Sequence, residues 1–128
     1  MKIGIIGSGR VGYSMGKYMQ DHGIRVRGFY DRHRERALDA AQFTGTDSFD
    51  RIEDLVAASD TLFLTTSDGE IANVWDCIRH LSIQGKIICH FSGSLSSDKF
   101  QGIEKTRAYG LSIHPMLAFS DKYTSYKQ

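Results

Sequence analysis

Six residues, Gly7-Ser8-Gly9-Arg10-Val11-Gly12, constrain this chain more than any other stretch of it. They form a G-x-G-x-x-G pattern, which is weak alone and informative in the right context. Here the context is complete. Lys2 to Ile6 is a short apolar run ending in glycine, which predicts a buried strand. Val11 to His22 carries Val11, Met15, Tyr18 and Met19 at helical spacing and stops at Gly23, which predicts a helix. Ile24 to Tyr30 predicts a second strand, and Asp31 closes it, 19 residues beyond Gly12. In a strand–loop–helix unit of this kind Gly7 allows the tight turn and Gly9 lets a pyrophosphate approach the main chain. Gly12 lets the helix pack close to the strand. The free N–H groups and the positive dipole end of the helix then face an anion. The pattern predicts a dinucleotide-binding βαβ unit with residues Gly7, Ser8, Gly9, Arg10, Val11 and Gly12 at the cofactor. A glycine-rich turn without a ligand is the alternative.

Asp31 bears on which dinucleotide. A carboxylate at this place can accept both ribose hydroxyls of NAD and repels a 2′-phosphate. Arg32, His33, Arg34 and Arg36 follow at once. Arg32 or Arg34 could clamp a 2′-phosphate if Asp31 turned aside; a solvated helix start is the plainer reading of those arginines. The cofactor is therefore NAD or NADP, with NAD favoured.

The rest of the chain repeats the alternation. Helices are predicted over Arg34 to Phe43, Arg51 to Ala58, Glu70 to Leu81 and Ser96 to Ile103. Strands are predicted over Thr61 to Thr65, Lys86 to Phe91 and Arg107 to His114, with a very short one inside Thr44 to Phe49. Alternating strands and helices mean parallel pairing and right-handed crossovers. The expected fold is α/β, a doubly wound, mainly parallel Rossmann sheet in the order 3-2-1-4-5-6. With 128 residues the chain makes one domain, over 1–115; 116–128 is polar and reads as a tail or linker.

Ligands of open α/β sheets bind beyond the carboxyl ends of the strands. Thr65, Thr66, Ser67 and Asp68 follow one strand, His90, Phe91, Ser92, Gly93 and Ser94 the next, and His114 and Pro115 the last. Thr65, Thr66, Ser67, Ser92 and Gly93 suit close approach to a nicotinamide ribose, although Ser67 and Asp68 also suit a helix cap. His114 is the candidate catalytic base, since a histidine can take the carbinol proton near neutral pH. Ser92 or Ser94 could orient the substrate or the imidazole. A satisfied strand-end histidine is the bland reading of His114, and more so of His90.

Composition excludes several classes. A formal net charge of +1 gives no field toward nucleic acid or a membrane. No apolar run reaches the length of a membrane span. The two cysteines, Cys77 and Cys89, lack metal-type spacing, as do the histidines, so no metal is expected. Both cysteines read as buried free thiols of a reducing, cytoplasmic compartment.

The segments GSGRVG, TTSDGEI (Thr65 to Ile71), HFSGSLSSDKF (His90 to Phe100) and SIHPMLAFSD (Ser112 to Asp121) together resemble one family. Its members are NAD(P) oxidoreductases predicted from sequence, with an N-terminal Rossmann-like domain and a helical C-terminal domain of unknown function. The wider superfamily, that of 6-phosphogluconate dehydrogenase, includes pyrroline-5-carboxylate reductase, 3-hydroxyisobutyrate dehydrogenase and prephenate dehydrogenase. The stretch Ser112 to Met116 also resembles the G-x-HPM stretch of prephenate dehydrogenases. That resemblance implies that His114 meets the substrate hydroxyl to be oxidised, with Ser94 beside it. It departs at Ser96, where those enzymes carry lysine, and their substrate-binding arginines come from a later domain.

Relatives of this kind usually close their active site, and often dimerise, through helices that follow the Rossmann domain. The expectation is that the helical domain lies outside this chain. The expected function is the NAD(P)-binding domain of an oxidoreductase that moves hydride between the nicotinamide and a small organic substrate, catalytic when joined to its second domain. A non-catalytic dinucleotide-sensing or interaction module, a prephenate dehydrogenase-like fragment, or another enzyme class on the same fold are the alternatives.

Overall fold

A computed structural model describes residues 1–91 and 100–112. Eleven elements follow in order: β1 (Ile3–Ile6), α1 (Arg10–Asp21), β2 (Val26–Tyr30), α2 (Arg34–Thr44), β3 (Asp47–Ser48), α3 (Ile52–Ala58), β4 (Thr61–Leu64), α4 (Asp68–Ile78), β5 (Ile87–His90), α5 (Ile103–Thr106) and β6 (Tyr109–Ser112). The strands form one sheet in the order β3-β2-β1-β4-β5-β6, and every pair is parallel. This is the doubly wound α/β sheet the alternation predicts.

Strand pleating separates two cores. Ile5, Phe63 and Cys89 are aligned across β1, β4 and β5 and point to one face. There they pack with Tyr13 and Met19 of α1 and Ala37 and Ala40 of α2. Ile6 and Leu64, with Leu62 and Ile88, point to the other face and meet Leu55 of α3 and Ile71, Trp75 and Ile78 of α4. A fully buried side chain such as Leu62 stabilises the fold by about 2 kcal/mol. The central strands are buried on both faces, so they read as continuous apolar runs.

Element ends differ from the sequence expectation for local reasons. β2 starts at Val26, not Ile24, because the Ile24 N–H bonds the carbonyl of Met19 and closes the end of α1. α4 starts at Asp68 behind its N-cap Ser67 and ends at Ile78; Leu81 N–H bonds Ile78 O in a tighter turn. Gly102 has φ 76° and Arg107 φ 61°, left-handed values that exclude both from a regular element. So α5 begins at Ile103, where the predicted helix was to end, and β6 begins at Tyr109. Residues 96–99 and 113–114 of those two expected elements lie outside the described residues.

The cysteine expectation is half corrected. Cys89 is buried, but Cys77 is exposed. On α4 the inward positions are Ile71, Trp75 and Ile78. Cys77 is two residues past Trp75, about 200° around the helix, and faces out.

Candidate functional site

The C-terminal ends of β1, β2 and β4 meet around a cleft of about 260 Å³. Its floor is the turn between β1 and α1. Gly7 has φ 101°, which a side chain rarely adopts, and its N–H bonds Tyr30 O at 2.8 Å. That bond ties the turn to β2. Gly9 is the N-cap of α1 and offers no side chain to cap it. A Cβ at Gly9 would meet nothing within 4 Å, so the main chain there is bare toward the cleft. At Gly12 a Cβ would lie 2.5 Å from Thr65 Oγ1 and 2.7 Å from Gly7 O. Helix, turn and β4 therefore touch at Gly12 through a gap that admits only hydrogen.

Thr65 holds the end of β4 to the same turn. Its hydroxyl donates to Gly7 O at 2.9 Å and lies 3.2 Å from Ile6 O. Thr66 lines the cleft, and its Oγ1 is buried with no hydrogen-bond partner among the described residues. Ser67 lines it too.

Asp31 closes the wall on the β2 side. Its Oδ2 accepts from Ser8 N–H at 3.1 Å and Ser8 Oγ at 2.9 Å; its Oδ1 accepts from His33 N–H at 2.8 Å. An ionised carboxylate has about four acceptor sites, so capacity remains on Oδ1. Arg32, His33 and Arg36 also line the cleft. Arg34 does not: its Nε pairs with Asp50 Oδ1 at 3.0 Å, away from the cleft.

Of the sequence-predicted cofactor residues, the cleft gathers Gly7, Ser8, Gly9, Asp31, Arg32, Thr65, Thr66 and Ser67. Arg10, Val11 and Gly12 form the first turn of α1 behind it. Ser92, Gly93, Ser94 and His114 lie outside the described residues. Sequence reasoning missed Glu70 and Val74 of α4, which line the opposite wall. The sheet order held the signal: β4 neighbours β1, so the first turns of α4 must face the glycine turn. His90, at the end of β5, is fully buried and meets Phe100 edge-on, with ring centroids 5.3 Å apart. That contact matches a core histidine.

These groups fit a dinucleotide. A bare helix N-terminus suits a pyrophosphate; the orphaned Thr66 hydroxyl and the open Asp31 Oδ1 suit hydroxyl or amide partners. Among the described residues no cluster of His, Cys, Asp or Glu could hold a metal, and no helix is long and apolar enough to cross a membrane.

Known structures share this architecture. A protein of Bacteroides fragilis assigned as an NADP oxidoreductase superposes with a TM-score of 0.81 at 19% identity, over 94% of this chain and 46% of its own. An imine reductase from Myxococcus stipitatus in complex with NADP+ gives 0.75 at 19% identity, over 93% and 42%. A variant of an imine reductase from the same organism in complex with NAD+ gives 0.73 at 20%, over 92% and 40%. The chain thus spans less than half the length of each. No curated protein sequence matches it. A family model, that of oxidoreductases with an NAD-binding Rossmann fold, matches residues 1–85. The chain belongs to this oxidoreductase family, and its dinucleotide is NAD or NADP.

Proposed function

We propose that this chain is the cofactor half of an oxidoreductase that moves hydride between NAD and a small organic substrate. The observation that carries the reading is the position of Asp31, in the cleft wall with its Oδ1 only partly engaged. That oxygen can accept from an adenosine ribose hydroxyl, and its charge opposes a 2′-phosphate. The bound cofactor supplies a nicotinamide that accepts or donates hydride. Gly9 and the first turn of α1 hold the pyrophosphate.

His114 is proposed as the group that takes the proton when a carbinol is oxidised, with Ser94 orienting it. The parallel strands support this: β5 and β6 end at His90 and Ser112, at the same carboxyl end of the sheet as the glycine turn. Substrate-selecting residues, and any dimer, are proposed to come from a following helical domain.

Calorimetric titration with NADH and NADPH tests the reading. NADH should bind, and bind more tightly than NADPH. No binding of either at millimolar concentration overturns it. In the protein joined to its second domain, His114→Ala should keep cofactor binding and lose turnover; retained turnover removes His114 from the role.

A further inference from the structure

Glu70 stands in the first turn of α4, three residues after the N-cap Ser67. That spacing suits a capping box, in which the acid reaches back to the N-cap N–H. Here the reciprocal cap is absent: Ser67 makes no side-chain cap bond. The Glu70 carboxylate points across the cleft instead, and its Oε2 lies 3.7 Å from Arg32 Nη1. One partner belongs to the β2–α2 connection and the other to α4, so the pair joins the two rims of the cleft.

The charges around the cleft then balance. Arg32 and Arg36 face Asp31 and Glu70, two guanidiniums against two carboxylates. Arg36 forms no ion pair among the described residues, and Arg32 is held by Glu70. A 2′-phosphate is clamped by a guanidinium beside the ribose, and Arg32, which directly follows Asp31, is the guanidinium placed there. A ribose with free hydroxyls needs no such clamp. The Arg32 side chain is 70% exposed and that of Glu70 37%, so water screens the contact and it is weak and exchangeable. Its effect is on selectivity rather than on fold.

We propose that Glu70 is a specificity-determining residue: by engaging Arg32 it withholds that guanidinium from a 2′-phosphate, and so biases the site toward NAD and against NADP. The inference rests on the reading above, in which the cleft takes the adenosine ribose.

The test is fluorescence titration with NADH and NADPH, at low salt, of the wild type, Glu70→Gln and the double variant Arg32→Ala/Glu70→Gln. Circular dichroism checks that each is folded. Glu70→Gln should bind NADPH about fivefold more tightly and NADH within about twofold of wild type. The gain should vanish in the double variant. It should also vanish at about 1 M salt, where the screening length is about 3 Å. An unchanged NADPH-to-NADH ratio in Glu70→Gln overturns the inference, as does a gain that survives loss of Arg32 or a wild type that prefers NADPH. A wild type that binds neither cofactor overturns the functional reading itself, and so the two failures are distinguishable.

Discussion

Asp31 and Ser8 are joined twice: one carboxylate oxygen, Oδ2, accepts from both the main-chain N–H and the hydroxyl of Ser8, at 3.1 and 2.9 Å. Ser8 is buried, 2% exposed, so both donors depend on that oxygen. The acid that ends β2 therefore shapes the glycine turn that ends β1. In the sequence reading Asp31 had one task, at the ribose. The structure adds another, which is to hold the glycine turn in place; the ribose contact is the task proposed for it above.

Asp31→Ala should therefore weaken both cofactors, and NADH more than NADPH. The shared loss comes from a loosened turn and the additional loss from the ribose. Stability should fall by about 1–3 kcal/mol, because a buried N–H and hydroxyl lose their partner. Ser8→Ala, which keeps the N–H bond, should lose only about 1 kcal/mol. Urea denaturation and calorimetry measure both quantities. Equal weakening of NADH and NADPH would mean that Asp31 acts through the turn alone.

Much of this was legible in the sequence, and the reasons are particular. The order of the sheet followed from alternation, because Ile3 to Ile6 and Thr61 to Leu64 are buried on both faces and must lie between helix layers. The tight turn at Gly7 and the close helix packing at Gly12 followed from spacing. What the sequence hid was side-chain direction. Nothing in TTSDGEI says that Glu70 leaves its own helix cap for Arg32, or that Arg34 turns to Asp50 while Arg32 stays at the cleft. Those choices depend on how far apart α2, α3 and α4 stand, a tertiary quantity with no local trace. Element ends were obscured for a similar reason: a residue at positive φ, such as Arg107, has no strong sequence signal.

The two cysteines should separate cleanly by reactivity. Cys77 is exposed and Cys89 is buried, and burial pushes the Cys89 thiol up to about 11 from its ordinary value of 9.0. At pH 8 a thiol reagent should label one cysteine quickly in the native protein and both in denaturant. The raised value also has a consequence for stability. Below the unfolded value the contribution of Cys89 is fully present; as pH rises from 9.0 through about 11 the unfolded thiol ionises first and stability falls. Fast labelling of both cysteines in the native state would contradict the burial of Cys89.

Acid should loosen the joint between β1 and β4. Asp60 Oδ1 accepts the Lys2 N–H at 3.0 Å, and that bond holds the Asp60 carboxyl below its ordinary value of 3.8, against a smaller opposing effect of desolvation. Thr61 Oγ1 and the positive charges of the N-terminus and Lys2 add to the lowering. A depressed folded value means that the stabilisation is present above the unfolded value and is lost as pH falls through the folded one. Asp60→Asn should therefore be less stable than wild type at pH 6, and the gap should narrow as pH falls below 3.8. Denaturant melts at pH 6 and at a series of pH values below 3.8 read it, and a gap that stays constant would show that the charge on Asp60 does not matter.

Gly9 and Gly12 should respond to alanine in opposite ways, although both belong to one motif. At Gly9, with φ −72° and nothing within 4 Å of a Cβ, alanine fits without strain, and the thermal midpoint should be unchanged. The new methyl would instead occupy the bare main chain that faces the cleft, so cofactor affinity should fall by about tenfold or more. At Gly12 the methyl would press on Thr65 Oγ1, Gly7 O and Ile5 Cγ2, the last at 3.2 Å. Gly7 O is main chain and cannot swing aside, so α1 must shift away from β1 and β4. A cost of about 1–3 kcal/mol is expected, as for overpacking elsewhere in cores. The shift also moves the N-terminus of α1, so Gly12→Ala should bind more weakly as well as melt earlier. Melting and titration of the two variants side by side separate the effects. If Gly9→Ala lost stability and kept its affinity, the bare face of the turn would not be where the pyrophosphate lies.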